Sequence, residues 1–305
     1  DLDNLDIGAS IKISSIKLPE NVTPTIQGRD FVVATVAAPT VIKEPEKPAE
    51  ETTEGAEGAE GTEEAEGTEG ETKTAAEGDK KILSSVENGI GRLTFNNPQR
   101  RNAMSLEMWQ TTSRTLEAFD KDPEVRVIIL SGAGGKAFVS GADISKFESE
   151  RSGVEQTLLY NEVTAETSRV LQGCSKPTIA MIRGFCMGGG LAISLCCDMR
   201  YCTPESVFGL PAAKLGVGYG FEGIRRLLEI TSPAYAREIC FTGRRFNAEE
   251  AKQMQLVNRI LPDSEIEAFV EENATMIAEN APLTIGSLKQ IFIELAKNPI
   301  DRDPE

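Results

Sequence analysis

The chain has 305 residues, 40% of them hydrophobic, carries a formal charge of −16 and contains no histidine. Without histidine, Ser-His-Asp and Cys-His nucleophile systems, His-ligated zinc and imidazole acid/base chemistry are excluded. Proton transfer is left to carboxylates, tyrosine, lysine, cysteine or water. The acidity argues against a basic nucleic-acid-binding face, and it is uneven: 14 acidic and 5 basic residues between Lys43 and Lys81 give that stretch alone −9.

In chain order, residues 1–42 are rich in β-formers. Ile11 and Ile13 alternate with polar residues, as do Ile16 and Leu18, and Phe31 to Val36 reads as a second strand. The piece is short for independent stability. Residues 43–81 are a low-complexity run of Glu, Gly, Thr, Ala and Pro with no apolar period, which predicts a disordered acidic linker. Residues 82–265 read as an α/β core. Ile90 to Phe95 is an alternating strand, and Pro98 and Asn102 mark a turn. Ser105 is the predicted N-cap of a helix with Glu107 in its first turn and Trp109, Leu116 and Phe119 on one face. Val125 to Leu130 and Thr178 to Ile182 read as apolar strands. Asn247 and Glu250 form a capping box for a helix through Met254. From about Ile266 the pattern is helical only, so residues 266–305 are predicted as a C-terminal helical region.

Six cysteines (Cys174, Cys186, Cys196, Cys197, Cys202, Cys240) show no C-x-x-C spacing and lie mostly in apolar runs. They read as reduced core residues of a cytoplasmic protein, with no metal site and no disulfide frame. No apolar run is long enough to span a membrane, and no signal peptide opens the chain. Asp1 as the first residue fits a processed or partial product.

Two short stretches carry the chemistry: Ala137 to Asp143 and Gly184 to Gly190. Each reads as the end of a strand and the start of a helix, built from residues small enough for a ligand to lie against bare backbone. If the turns meet, their amides form a two-donor cradle for a developing negative oxygen. Gly188-Gly189-Gly190 precedes the apolar Leu191 to Leu195, and a helix start offers unpaired N–H groups and about half a positive charge. Close packing of that helix on a strand is the competing explanation of the glycines.

Asn97-Pro98-Gln99-Arg100-Arg101-Asn102-Ala103, Phe138 to Ile144, Lys176 to Ala180, Gly184 to Gly190, Cys197 to Arg200, Phe208-Gly209 and Leu256 to Asn258 together resemble the crotonase (enoyl-CoA hydratase/isomerase) superfamily over residues 82–305. The resemblance implies a spiral of ββα turns and a coenzyme A thioester substrate, with no cofactor beyond that substrate's coenzyme A. It also implies a homotrimer or dimer of trimers. It places the oxyanion donors at the amides of Ala142 and Gly189. It assigns substrate contacts to Arg101, Ala103, Ala137 and Gly141, and to Asp143, Ile144, Gly188 and Ala212. It further implies more helix and a basic tail than the stretch ending at Glu305 contains.

One departure matters for the reaction. Hydratases of this family place one glutamate just after the glycine triplet and another after the Phe-Gly-x-Pro strand; the matching positions are Ala192 and Ala212. Alanine transfers no proton, so the chain departs from the family's hydration by two carboxylates and from its isomerisation by one glutamate. The nearest substitutes are Tyr219 and Glu222 in the loop Lys214 to Gly223. Tyr219 falls where the family's malonyl-type acyl-CoA decarboxylases carry a functional tyrosine. Glu222 is a rival acid/base, and the plain alternative is that Tyr219 lines a pocket while Glu222 faces solvent. Asp143 reads as a helix cap, Asp198 as a buried structural pair with Arg200, Ser194 as a residue on a helix face with no base, and Arg100-Arg101 as a surface pair able to meet a phosphate.

Residues 1–42, through Leu5 to Gly8, Ile16 to Val22 and Asp30 to Pro39, resemble the end of the C-terminal domain of bacterial ribosomal protein L25 in its CTC form. That family's RNA-binding domain has no counterpart in these residues, so no nucleic-acid partner is expected. The reading is therefore an acyl-CoA enzyme of the hydratase/isomerase type lacking the glutamate pair. The alternatives are a malonyl-type decarboxylase using Tyr219, a non-catalytic acyl-CoA binder, and a ribosome-associated fusion protein.

Overall fold

The computed structural model describes residues 10–12, 32–35, 80–143, 153–297 and 299–303. The chain divides into two compact units, 1–70 and 71–305. In the first, β1 (Ser10–Lys12) and β2 (Val32–Thr35) pair antiparallel. The expected strand around Ile16 and Leu18 and the acidic linker up to Asp79 lie outside the described residues.

The second unit is built from repeated strand–strand–helix turns. β5 (Val127–Gly132) and β6 (Ala137–Val139) lead to α2 (Val154–Gly173). β7 (Thr178–Ile182) and β8 (Phe185–Met187) lead to α3 (Gly189–Cys196). β9 (Met199–Cys202) and β10 (Val207–Gly209) lead to α4 (Ala212–Leu215) and α5 (Phe221–Ile230). The first strand of each turn joins a six-stranded sheet, where β5, β7 and β9 run parallel. The second joins a four-stranded sheet, where β6, β8 and β10 run parallel. This is the predicted ββα spiral.

β3 (Ile82–Glu87) and β4 (Ile90–Phe95) form the antiparallel hairpin that ends the large sheet, with β4 parallel to β5. β11 (Arg245–Asn247) and β12 (Arg259–Ile260) close the small and large sheets at their other ends. The apolar run of β5 is explained by burial on both faces. Ile128 and Leu130 enter the main core with Leu93, Phe95 and Phe138, whereas Val127 and Ile129 enter a second core with Ile266, Val270 and Ala274. The latter three belong to α8 (Asp263–Glu279), which starts three residues before the predicted helical region. β5 itself begins at Val127 because the Val125 amide closes a turn onto the Asp122 carbonyl.

Local signals were reliable. Ser105 caps α1 (Leu106–Lys121) by accepting from the Met108 amide, and α1 buries Trp109, Leu116 and Phe119. Such a cap contributes about 1 kcal/mol. The Asn247–Glu250 capping box opens α7 (Ala248–Gln253), which follows α6 (Pro233–Thr242). α9 (Pro282–Ala296) follows α8.

One expectation is corrected. Asp198 does not pair with Arg200. Its carboxylate accepts from the Thr178 amide and hydroxyl (2.7 and 2.9 Å) and from the ammonium of Lys289 on α9 (2.5 Å). Arg200 instead turns its guanidinium onto the backbone carbonyls of Ser194, Cys197 and Leu256. A planar fork can satisfy several carbonyls at one helix end, and the Asp198 carboxylate already has three donors. Among the described residues no helix is long and apolar enough to cross a membrane.

Candidate active site

β6 and β8 are adjacent parallel strands, with Ala137 opposite Phe185 and Val139 opposite Cys186. Parallel neighbours end at the same edge, so the chain leaves both strands side by side. The two turns singled out in the sequence therefore come together. Gly141 has φ 114° and Gly188 φ 53°, conformations that favour glycine. Their backbones abut: a Cβ on Gly188 would lie 3.8 Å from the Gly141 Cα, and one on Gly141 would lie 3.5 Å from the Met187 carbonyl oxygen.

The chain around Ala142 is clamped to Met104. The Met104 amide donates to the Gly141 carbonyl (2.8 Å), and the Asp143 amide donates to the Met104 carbonyl (2.9 Å). In such a parallel bridge the middle residue's own N–H points away from the partner, so the Ala142 amide faces away from Met104. Gly189 is the first residue of α3, where amides have no intrahelical acceptor. Among the described residues, no acceptor is found for either amide. Both residues are only half-buried.

The three glycines have three different reasons. Gly188 supplies the left-handed turn. Gly189 lies under the indole of Trp109, which a Cβ would approach to 2.9 Å. Gly190 packs on β6 so closely that a Cβ would lie 2.2 Å from the Val139 carbonyl oxygen. Close packing and the left-handed turn are thus both built from one triplet. The Trp109 indole N–H is in turn held by the Tyr160 hydroxyl of α2 at 3.0 Å. Spacing placed Trp109 on the inner face of α1 but gave no hint of its contact with Gly189 or of Tyr160 behind it, because the three residues lie on separate helices.

The other expected residues fall around this edge. Asn102 is fully buried; its amide donates to the carbonyls of Ala133 and Ala137 (3.0 and 2.7 Å), and its oxygen accepts from the Asn97 amide (2.9 Å). This knot fixes the loop that carries Arg101 and Ala103 against β6. The Arg101 guanidinium lies 4.8 Å from the Phe185 ring centre, while Ala103 and Ala137 are buried. Asp143 is 6% exposed and receives the Arg100 guanidinium at 3.3 Å. Ile144 and any helix that Asp143 caps lie outside the described residues.

Ala192 sits one turn beyond Gly189 on α3 and Ala212 opens α4; both are half-buried. Ser194 is fully buried and donates to the Leu191 carbonyl at 2.8 Å.

Tyr219 packs against the main core with its ring over Gly223, where a Cβ would meet it at 2.5 Å. Burial holds its phenol well above the usual range, aided by Cys196 and Cys240 nearby. It is thus a proton donor, not a base, at neutral pH. Glu222 is turned to solvent and accepts from Arg225 at 2.8 Å in an ion pair within α5.

The six cysteines are unpaired, and five are buried. Burial pushes the thiols of Cys174, Cys186 and Cys202 up to about 12, so they are protonated and unreactive near neutrality. Among the described residues there is no cluster of His, Cys, Asp or Glu suited to a metal.

A ββα spiral with a two-glycine junction at the start of a buried helix defines a class of protein, and comparison with known proteins identifies it. Residues 85–302 match the profile of the enoyl-CoA hydratase/isomerase family. The short-chain-enoyl-CoA hydratase of Clostridium acetobutylicum is 33% identical over 211 residues, 68% of this chain and 79% of that protein. The peroxisomal Delta(3,5)-Delta(2,4)-dienoyl-CoA isomerase of Arabidopsis thaliana is 31% identical over 223 residues, 70% of this chain and 80% of that one. A crystal structure of an enoyl-CoA hydratase/carnithine racemase from Magnetospirillum magneticum superposes with a TM-score of 0.70 at 36% identity, covering 72% of this chain and 82% of that one. The chain belongs to the enoyl-CoA hydratase/isomerase family, and its body is an acyl-CoA enzyme of that family. Residues 1–40 match the C-terminal domain of ribosomal protein TL5, in line with the likeness read from the first 42 residues.

Proposed function

We propose that the protein binds an acyl-CoA with the thioester oxygen between the amides of Ala142 and Gly189, and stabilises the enolate formed beside it. The observation that carries this reading is the abutment of Gly141 and Gly188 at the start of α3, with both following amides lacking a protein acceptor among the described residues. Such donors act where charge develops and are worth roughly 3 kcal/mol of barrier each. With alanine at positions 192 and 212, the chemistry is one that needs little acid/base machinery. The unpaired cysteines support a reducing, cytoplasmic setting. Exposed Leu283, Leu288, Phe292 and Leu295 on α9 support burial of that face in a homotrimer or dimer of trimers.

A second reading is favoured by the neutral phenol of Tyr219. In decarboxylation of a malonyl-type thioester, the bond from the α-carbon to the carboxylate breaks and its electron pair passes into the thioester as an enolate. Carbon dioxide leaves, and one proton must then reach the α-carbon. A phenol kept protonated by burial is an acid suited to that last step.

A panel of acyl-CoA substrates tests both readings. Release of carbon dioxide from methylmalonyl- or ethylmalonyl-CoA, flat from about pH 6 to 9 and falling about 100-fold in Tyr219→Phe, is the result expected of the decarboxylase. The sign follows from the raised phenol: the acid form is the working form, and it persists until pH exceeds the ordinary tyrosine value of about 10. Crotonyl-CoA hydration that survives both Tyr219→Phe and Glu222→Gln excludes those two side chains as its acid. Absence of turnover and of binding across the panel contradicts the proposal as a whole.

A further inference from the structure

The helix that begins at Gly189 is only eight residues long, so its far end lies about 12 Å from the cradle. That end is gripped by two guanidinium groups. Arg200, from β9, donates through Nη1 to the carbonyls of Ser194 (3.2 Å) and Cys197 (2.5 Å), and through Nε to Leu256 (2.9 Å). Arg226, from α5, donates to the Leu195 carbonyl at 2.8 Å.

The two cations differ in one respect. Arg226 shares its charge with Glu229 at 2.9 Å, whereas Arg200 is 7% exposed and takes part in no ion pair among the described residues. Burying a guanidinium without a carboxylate is costly. A neutral amide could satisfy some of the same carbonyls at lower cost. What the cation adds is charge, placed at the negative end of the helix that presents the Gly189 amide.

We infer that Arg200 is a positioning residue for the oxyanion cradle: it pins the C-terminal end of α3 and offsets the negative pole there, so that the positive pole at Gly189 acts on the thioester oxygen with little opposition. The inference deepens the cradle reading and rests on it. A unit charge at this range in a protein interior corresponds to roughly a five- to tenfold effect on rate.

The test uses the full chain and the coenzyme A thioester of 4-dimethylaminocinnamic acid, whose absorbance moves to longer wavelength when its carbonyl is polarised. The wild-type protein is expected to red-shift the bound probe. Arg200→Gln is expected to bind it with similar Kd, to give a smaller red shift at saturation, and to lose five- to tenfold in kcat with KM little changed. A folded Arg200→Gln that gives the full red shift overturns the inference and leaves the cradle standing. A wild-type protein that binds the probe with no red shift overturns both.

Should Arg200→Gln fail to fold, Arg200→Lys decides. Its ammonium faces Asp198, Arg226, Cys196 and Cys197, and burial lowers a lysine's pKa. The red shift should be full at low pH and fall as pH rises through that lowered value, with far-UV circular dichroism unchanged and no such step in the wild type. A Lys variant with a flat red shift from pH 6 to 11 overturns the inference.

Discussion

Gly188→Ala is expected to lower kcat by 100- to 1,000-fold while the protein stays folded. Gly188 adopts φ 53° and ψ −112°, a conformation open to glycine and strained for other residues by about 1–3 kcal/mol. Space is not the difficulty, since an added Cβ would lie 3.8 Å from its nearest neighbour, the Gly141 Cα. The strain is relieved by rotating the peptide that joins Gly188 to Gly189, and that rotation swings the Gly189 N–H off its target. Loss of one oxyanion donor costs 100- to 1,000-fold. Steady-state kinetics on the best substrate of the panel, with acyl-CoA Kd measured alongside, checks this. A wild-type kcat in a folded Gly188→Ala protein would mean that the Gly189 amide is not used. Gly190→Ala is a poor substitute for this experiment: its Cβ would meet the Val139 carbonyl oxygen at 2.2 Å, so it damages packing before it reports on chemistry.

The second large effect is a gain. Ala192→Glu combined with Ala212→Glu is expected to raise crotonyl-CoA hydration at least 100-fold, the low end of what positioned acid/base groups contribute. Ala192 is one helical turn beyond Gly189, and Ala212 follows β10, whose Gly209 carbonyl accepts the Gly188 amide at 2.9 Å. Both positions are half-buried at the edge where the cradle opens, which leaves room for a carboxylate with access to solvent. Continuous loss of enoyl-thioester absorbance measures the rate. A folded double variant that binds crotonyl-CoA with no gain would mean that these positions do not face the acyl group.

The sequence made the local features plain, because each is written in neighbouring residues. The Ser105 cap, the Asn247–Glu250 box and the apolar strands are set by side-chain spacing over a few positions. The two turns of the proposed cradle were visible as small-residue runs after apolar strands, and their meeting follows from the parallel pairing of β6 with β8. What spacing could not supply were contacts between distant elements. Trp109 on Gly189, the Asn102 knot across β5 and β6, and the Asp198–Lys289 pair join segments far apart in the chain. The expected Asp198–Arg200 pair failed for the same reason. Two residues two positions apart at the start of β9 looked complementary, yet each found better partners on other segments.

The most direct test of the cradle is a crystal structure of the protein with a bound, unreactive acyl-CoA thioester. The account predicts that the thioester carbonyl oxygen lies about 2.7–3.1 Å from the backbone nitrogens of both Ala142 and Gly189. A thioester whose oxygen touches neither nitrogen, or is held by a side chain instead, would contradict it.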